Sequence, residues 1–180
     1  MVQRLGCDYP EHFAAVGIMI YQMPPGHACG PSETLPMLHY YGEQDDGVPP
    51  TGLPSPYGWV YTSAAENTRV WAETMGCNGP AVPWQTVLTQ EHDLQCEAYT
   101  DCQSEGIAVV SCGDPTADHE WAAQRIDAIP ADCVAPAQQQ DLPRQPVCPP
   151  ISPVEERWGM EMVWQFFSQH SRSPALASIR

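Results

Sequence analysis

The chain has 180 residues, about the length of one domain. It carries 22 acidic against 7 basic residues, a net charge of −15, and every basic residue is Arg. That balance excludes nucleic acid or an anionic membrane as the main partner, because both require clustered positive charge. Apolar residues make up 43 % and charged residues only 16 %, so the chain can build a packed core and is no acidic disordered tail. No run reaches the roughly 18 apolar residues of a membrane span.

The predicted elements follow in chain order. Met1 to Asp8 reads as the end of a helix, stopped by Cys7-Asp8-Tyr9-Pro10. The continuous apolar run Phe13 to Ile20 suits a strand buried on both faces, the habit of parallel sheets. A second apolar run, Leu35 to Tyr41, ends at Gly42 and opens an acidic loop through Asp45 and Asp46 to Pro50. Ser63-Ala64-Ala65-Glu66 has capping-box spacing and starts a helix that ends at Gly76. Residues 82–112 read as two or three short strands, of which Ile107 to Val110 is the clearest. Gly113-Asp114-Pro115 breaks that strand and leads to Asp118-His119. A Pro- and Gln-rich loop fills residues 130–153. Trp158, Met162 and Phe166 then mark one stripe of a helix over Glu155 to His170. The order predicts an α/β fold in one domain, a mainly parallel sheet with helices on its faces.

The eight cysteines are Cys7, Cys29, Cys77, Cys96, Cys102, Cys112, Cys133 and Cys148. An even, dispersed set without a C-x-x-C pair reads as disulfides, and so as a secreted or periplasmic protein. The opening residues contain neither the apolar core nor the cleavage site of an export signal, so either the cysteines mislead about the compartment or the true N-terminus lies upstream of Met1. Cys96, Cys102, Cys112 and His119 are a zinc alternative, but their gaps lack the short paired spacing of structural zinc sites. No metal and no organic cofactor is expected.

Asp45 and His119 each fall on a loop just past a predicted strand. Acid before His is the chain order of the α/β-hydrolase triad, in which the carboxylate fixes the imidazole tautomer and the imidazole carries the nucleophile's proton. A solvated turn is the plain alternative for Asp45, and Asp46 is the fallback acid.

Leu38 to Pro49, which contains His39-Tyr40-Tyr41-Gly42-Glu43-Gln44-Asp45-Asp46-Gly47-Val48-Pro49, resembles the acid loop of the polyhydroxybutyrate depolymerase-like esterases. That secreted family also includes feruloyl and acetylxylan esterases. Cys7 to Val16, Trp71 with Gly76-Cys77, Cys96-x-x-Tyr99-x-x-Cys102, Gly106, Cys112, His119-x-Trp121 and Trp164 to His170 continue the likeness. It covers about residues 1–121 and 155–170. The resemblance implies a serine esterase with Asp45 as acid and His119 as base, acting on a polyhydroxyalkanoate or on acetyl or feruloyl esters of polysaccharide. Tyr57, Trp59 and Trp121 are the candidate substrate-binding aromatics, and Tyr61 lies beside the first two. Proximity and the resemblance together imply the pairs Cys7–Cys29, Cys77–Cys112, Cys96–Cys102 and Cys133–Cys148.

The sequence also departs from that pattern. Tyr41 stands where the family has His before Gly, Asp118 stands where it has Gly before His, and 130–150 reads as an insertion. No G-x-S-x-G occurs. The resemblance implies that Met1 lies inside the helix that follows the nucleophile, which is then expected upstream. The chain so read is the C-terminal part of the fold and carries acid and base without nucleophile. Lost strands on that reading leave an apolar edge uncovered. The alternative is a non-catalytic, disulfide-rich extracellular binding module on the same scaffold. A carbohydrate-binding surface of Tyr57, Trp59 and Tyr61 is a third reading.

Overall fold

The structure, a computed structural model, describes residues 1–103, 109–119, 133–148 and 158–171. Five strands form one sheet: β1 (Val16–Met19), β2 (Met37–Gly42), β3 (Val82–Pro83), β4 (Gln95–Tyr99) and β5 (Val109–Asp114). Their spatial order is β1-β2-β5-β4-β3. The β1/β2 and β2/β5 pairs are parallel, whereas β5/β4 and β4/β3 are antiparallel. The sheet is therefore mixed, which corrects the expectation of a mainly parallel one. The antiparallel half is where the apolar runs give way to alternation: β4 is Gln-Cys-Glu-Ala-Tyr, with Gln95 and Glu97 exposed.

Side-chain alternation divides the core between the two faces of the sheet. Val16, Ile18, Met37 and Val109 pack with Trp71, Ala72 and Met75 of α2 (Ala64–Thr74). α1 (Val2–Asp8) sits against the same face, where Gly6 comes so close that an added Cβ would lie 3.0 Å from the Trp71 ring. Leu38, Tyr40, Val110 and Cys112 point the other way, onto Met162, Val163 and Phe166. Those three belong to α4 (Trp158–Phe167), and the short α3 (Val87–Glu91) lies beside it. The Trp158-Met162-Phe166 stripe is thus the buried face that the spacing predicts. Residues 155–157, at the predicted start of that helix, lie outside the described residues.

α2 begins as its sequence dictates. Ser63 Oγ accepts the Glu66 N–H at 3.1 Å, while the Glu66 carboxylate turns to Arg69 rather than back to the cap. The helix closes at Met75, and Gly76 follows with φ +64°, the left-handed position that favours glycine.

All eight cysteines are paired. Cys7–Cys29 and Cys133–Cys148 form as expected. The other two expected pairs are corrected: Cys77 joins Cys102, and Cys96 joins Cys112. The reason is strand register. β4 runs antiparallel to β5 with Cys96 directly opposite Cys112, so the bond crosses adjacent strands. Cys102 lies past the end of β4, where Gln103 N–H donates to the Met75 carbonyl and brings it to the end of α2 beside Cys77. Four disulfides fit an oxidising environment. The pairing also occupies the three sulfurs of the zinc alternative. Within the 130–153 loop, residues 133–148 carry a Val134–Val147 bridge inside the Cys133–Cys148 ring. Ile107 and Ala108 lie outside the described residues.

His39 is fully buried in β2, and its Nδ1 is 3.1 Å from Thr68 Oγ1 of α2. Burial pushes its pKa down to about 4, against the weaker upward pull of a backbone hydrogen bond at Tyr21. The unfolded chain, with His39 near 6.5, therefore binds more protons than the native one between these values. Stability from this residue is complete above pH 6.5 and falls as pH drops toward 4, by about 3 kcal/mol in all. Urea melts at pH 4.5 and 7 check it. His39→Gln is expected to flatten that difference, and an unchanged pH slope in the variant would count against it.

Candidate functional site

β2 and β5 are parallel neighbours with Gly42 opposite Asp114, so both strands end at one level of the sheet. Their C-terminal loops leave the same edge, the usual place for a site in sheets of this kind. The loop after β2 carries Asp45; the loop after β5 carries His119.

The loops are joined through their backbones. Glu43 N–H donates to the Asp114 carbonyl at 2.9 Å, and Gln44 N–H donates to the Ala117 carbonyl at 3.0 Å. The Gln44 side chain donates to the Pro115 carbonyl at 2.9 Å. Gly42 makes this approach possible. A Cβ at that position would stand 2.3 Å from the Asp118 carbonyl oxygen and 2.5 Å from that of Ala117.

Asp114 shapes the second loop. Its Oδ1 accepts Thr116 N–H and Thr116 Oγ1–H, each at 2.9 Å, and Ala117 N–H at 3.2 Å. Its Oδ2 accepts the Tyr40 hydroxyl at 2.9 Å. One buried carboxylate thus fixes the turn 114–117 and ties it to β2. Sequence reasoning took Gly113-Asp114-Pro115 only as a strand breaker. The missed signal is Asp followed by Pro and Thr, since Asp readily accepts N–H groups two and three residues on.

The structure brings Asp45 and His119 together. Asp45 is buried, its side chain only 2 % exposed, and its Oδ2 lies 2.9 Å from His119 Nδ1. The second oxygen, Oδ1, accepts Val48 N–H at 2.7 Å. A carboxylate only accepts, so the imidazole donates from Nδ1 and its Nε2 is left with a lone pair. The His119 side chain stays 56 % exposed. Its backbone N–H donates to Asp118 Oδ1 at 2.8 Å, which turns Asp118 outward beside it. Asp46, the fallback acid, is exposed and does not face the imidazole nitrogen that Asp45 holds.

His119 lines a cleft of about 380 Å³ with Asp46, Gly47, Val48, Asp118, Tyr57, Trp59 and Tyr61. Tyr57 and Trp59, the candidate binding aromatics, therefore share the cleft with His119. Trp121 lies outside the described residues. Among the described residues no serine hydroxyl is hydrogen-bonded to His119. Asp45, Asp46 and Asp118 bring carboxylate oxygens within 4.8 Å of one another, which makes the rim acidic.

Comparison with protein-family models, with curated proteins and with solved structures finds no match to this chain.

Gly42 and Asp114 give the test of this architecture. Gly42→Ala has to drive the 117–118 backbone away, and Asp114→Ala removes the acceptor of the Tyr40 and Thr116 hydroxyls and of two backbone N–H groups. Each is expected to cost about 3 kcal/mol of stability. Proton NMR of each variant should lose the downfield Nδ1–H signal of a carboxylate-bound His119. Unchanged melts and an unchanged signal would show that the loops do not depend on these two residues.

Proposed function

We propose that the chain carries the acid and base of a carboxylic ester hydrolase on an α/β-hydrolase-like scaffold. The observation that carries this reading is the buried Asp45 holding Nδ1 of a half-exposed His119. That arrangement leaves Nε2 to take a proton from a nucleophile and return it to a leaving alkoxide. Exposure on the cleft side and fixation on the Asp45 side are what a general base requires. A fully buried histidine, as His39 is, could not exchange protons with a ligand.

The strand order supports the scaffold. Three parallel strands, β1, β2 and β5, present acid and base from consecutive C-terminal ends, in the chain order acid then His. The nucleophile of this reading is a seryl hydroxyl from outside the described residues. Attack on the ester carbonyl forms an acyl-serine and releases the alcohol, which takes the proton from His119. Water then attacks the acyl-serine and gives its proton to the same imidazole, which passes it to the departing serine oxygen as the acid is released. No step calls on a metal or an organic cofactor. The secreted setting of the reading is supported by the four disulfides.

A second reading is a non-catalytic extracellular binding module. The absence of a hydroxyl on His119 among the described residues favours it, and so do the exposed aromatics of the cleft.

Ester turnover by the natural polypeptide separates the two. Under the hydrolase reading Asp45→Asn lowers kcat by about 10⁴-fold with the fold intact, because the imidazole takes the wrong tautomer. A fluorophosphonate probe should label one serine, and peptide mapping would place it. Absence of both labelling and turnover would leave the binding reading standing. Full turnover by Asp45→Asn would remove Asp45 from the chemistry.

A further inference from the structure

The chain has two asparagines, and their surroundings differ. Asn67 is buried in α2 and is followed by the β-branched Thr68. Asn78 is exposed and is followed by Gly79, just past the left-handed Gly76 at the end of α2. An Asn-Gly pair is the one most open to cyclisation, because a glycine nitrogen has no Cβ beside it to bar its approach to the asparagine side chain. Here packing imposes the pair. Gly79 lies so close to the end of β4 that an added Cβ would stand 2.2 Å from Thr100 Oγ1. Asn78 Nδ2 donates to the Gly76 carbonyl at 2.9 Å and so braces the turn that follows the helix.

The same contacts keep the pair from reacting. Asn78 N–H donates to the Asp101 carbonyl at 3.2 Å, and Gly79 N–H donates to the Thr100 carbonyl at 3.1 Å. Thr100 Oγ1 donates in turn to the Pro80 carbonyl at 2.8 Å. The nitrogen that would attack is thus tied to a carbonyl, and the side-chain amide that it would attack is turned back toward Gly76. These are neutral bonds of the protein surface, which water readily replaces when the segment opens. The covalent closure is Cys77–Cys102, whose two cysteines directly flank residues 78–79 and 100–101. Beyond them the pairing continues only through the two residues of β3, Val82 opposite Ala98 and Pro83 opposite Glu97. The crosslink therefore stands at the mouth of a loop that few other bonds hold shut.

We propose that Asn78 is a deamidation site that the Cys77–Cys102 bond keeps closed. When residues 78–79 part from 100–101, the deprotonated Gly79 nitrogen attacks Asn78 Cγ. The new N–C bond forms, the Cγ–Nδ2 bond breaks, and the amide nitrogen leaves as ammonia with the proton that Gly79 gave up. Water, the one co-reactant, then opens the cyclic imide at either carbonyl and gives an aspartyl or a β-linked isoaspartyl residue. Neither product fits the closed place. A carboxylate cannot donate to the Gly76 carbonyl, and the β-linkage lengthens the backbone beside Gly79. Opening of the crosslink is thereby converted into a one-way change at the end of α2. The proposal does not rest on the hydrolase reading.

Peptide mapping of the full chain after incubation in mildly alkaline buffer tests it, with Asn67 as the internal reference. The native chain is expected to convert Asn78 at least about tenfold more slowly than the reduced, urea-unfolded chain, the factor by which a closed local equilibrium protects a backbone amide. The double variant Cys77→Ser, Cys102→Ser keeps the other three bonds and should convert Asn78 faster than the native chain by about that factor. The double variant Cys133→Ser, Cys148→Ser should convert it at the native rate. Where the first variant does not fold, stepwise reduction of the native chain by a dithiol decides, with freed cysteines mapped by alkylation. Conversion of Asn78 should then follow the release of Cys77 and Cys102 and not that of Cys133 and Cys148. Equal conversion in native and unfolded chains overturns the proposal, as does a chain that has lost Cys77–Cys102 and still converts Asn78 at the native rate.

Discussion

At Gly42 the last residue of β2 runs against the carbonyls of Ala117 and Asp118, with no room for a methyl group between them. Around that contact lie two backbone hydrogen bonds, a side-chain bond from Gln44 and the Asp114 turn. Each neutral hydrogen bond is worth about 1 kcal/mol net, and bonds to the Asp114 carboxylate about twice that. The Asp45–His119 pair, by contrast, has one half-exposed partner, and pairs in that setting contribute about 0–1 kcal/mol. The magnitudes decide the direction of cause. The pair does not hold the loops together; the loops hold the pair. The structure that positions the imidazole therefore does not depend on the strength of its bond to Asp45.

The same separation of duties runs through the core. The sheet puts Val16, Ile18, Met37 and Val109 on the α2 face and Leu38, Tyr40 and Val110 on the α4 face. β2, the strand that leads to Asp45, lies between β1 and β5 and is covered on both faces. β5, which leads to His119, is held on its far side by β4, and the Cys96–Cys112 bond makes that neighbour covalent. Asp45 and His119 therefore sit on loops whose supporting strands, β2 and β5, are each paired on both sides.

Much of this was legible in the sequence because it depends on local pattern. The Phe13–Ile20 and Leu35–Tyr41 runs are the two buried parallel strands, trimmed at their ends by Pro36 and by the turn into Ile20. The Ser63 cap and the Trp158-Met162-Phe166 stripe are equally local and form as read. Asp45 and His119 were legible as a pair because loops that follow neighbouring parallel strands must leave one edge. What failed was long-range. Whether Cys96 meets Cys102 or Cys112 depends on the register of an antiparallel pair, and a one-step change in strand direction reverses the answer. The mixed character of the sheet was overlooked although the alternation of β4 points to it, and β3, with two residues, adds no pattern of its own. Asp114 was overlooked because an Asp-Pro turn looks alike whether its carboxylate faces solvent or accepts bonds from a buried tyrosine.

The acidity of the protein gains a use on the ester reading. The substrate side is neutral, so the rim carboxylates of Asp46 and Asp118 do not oppose its arrival. Hydrolysis then creates a carboxylate product next to Asp45, Asp46 and Asp118, whose oxygens already lie within 4.8 Å of one another. A unit charge about 4 Å from another is repelled by about 1 kcal/mol in bulk water and by more in a partly dry cleft. Salt screens this beyond about 8 Å, so the repulsion acts on product still in the cleft and not on substrate approaching from solution. On that reading an acidic mouth leaves a neutral ester unopposed and repels the acid that its hydrolysis releases.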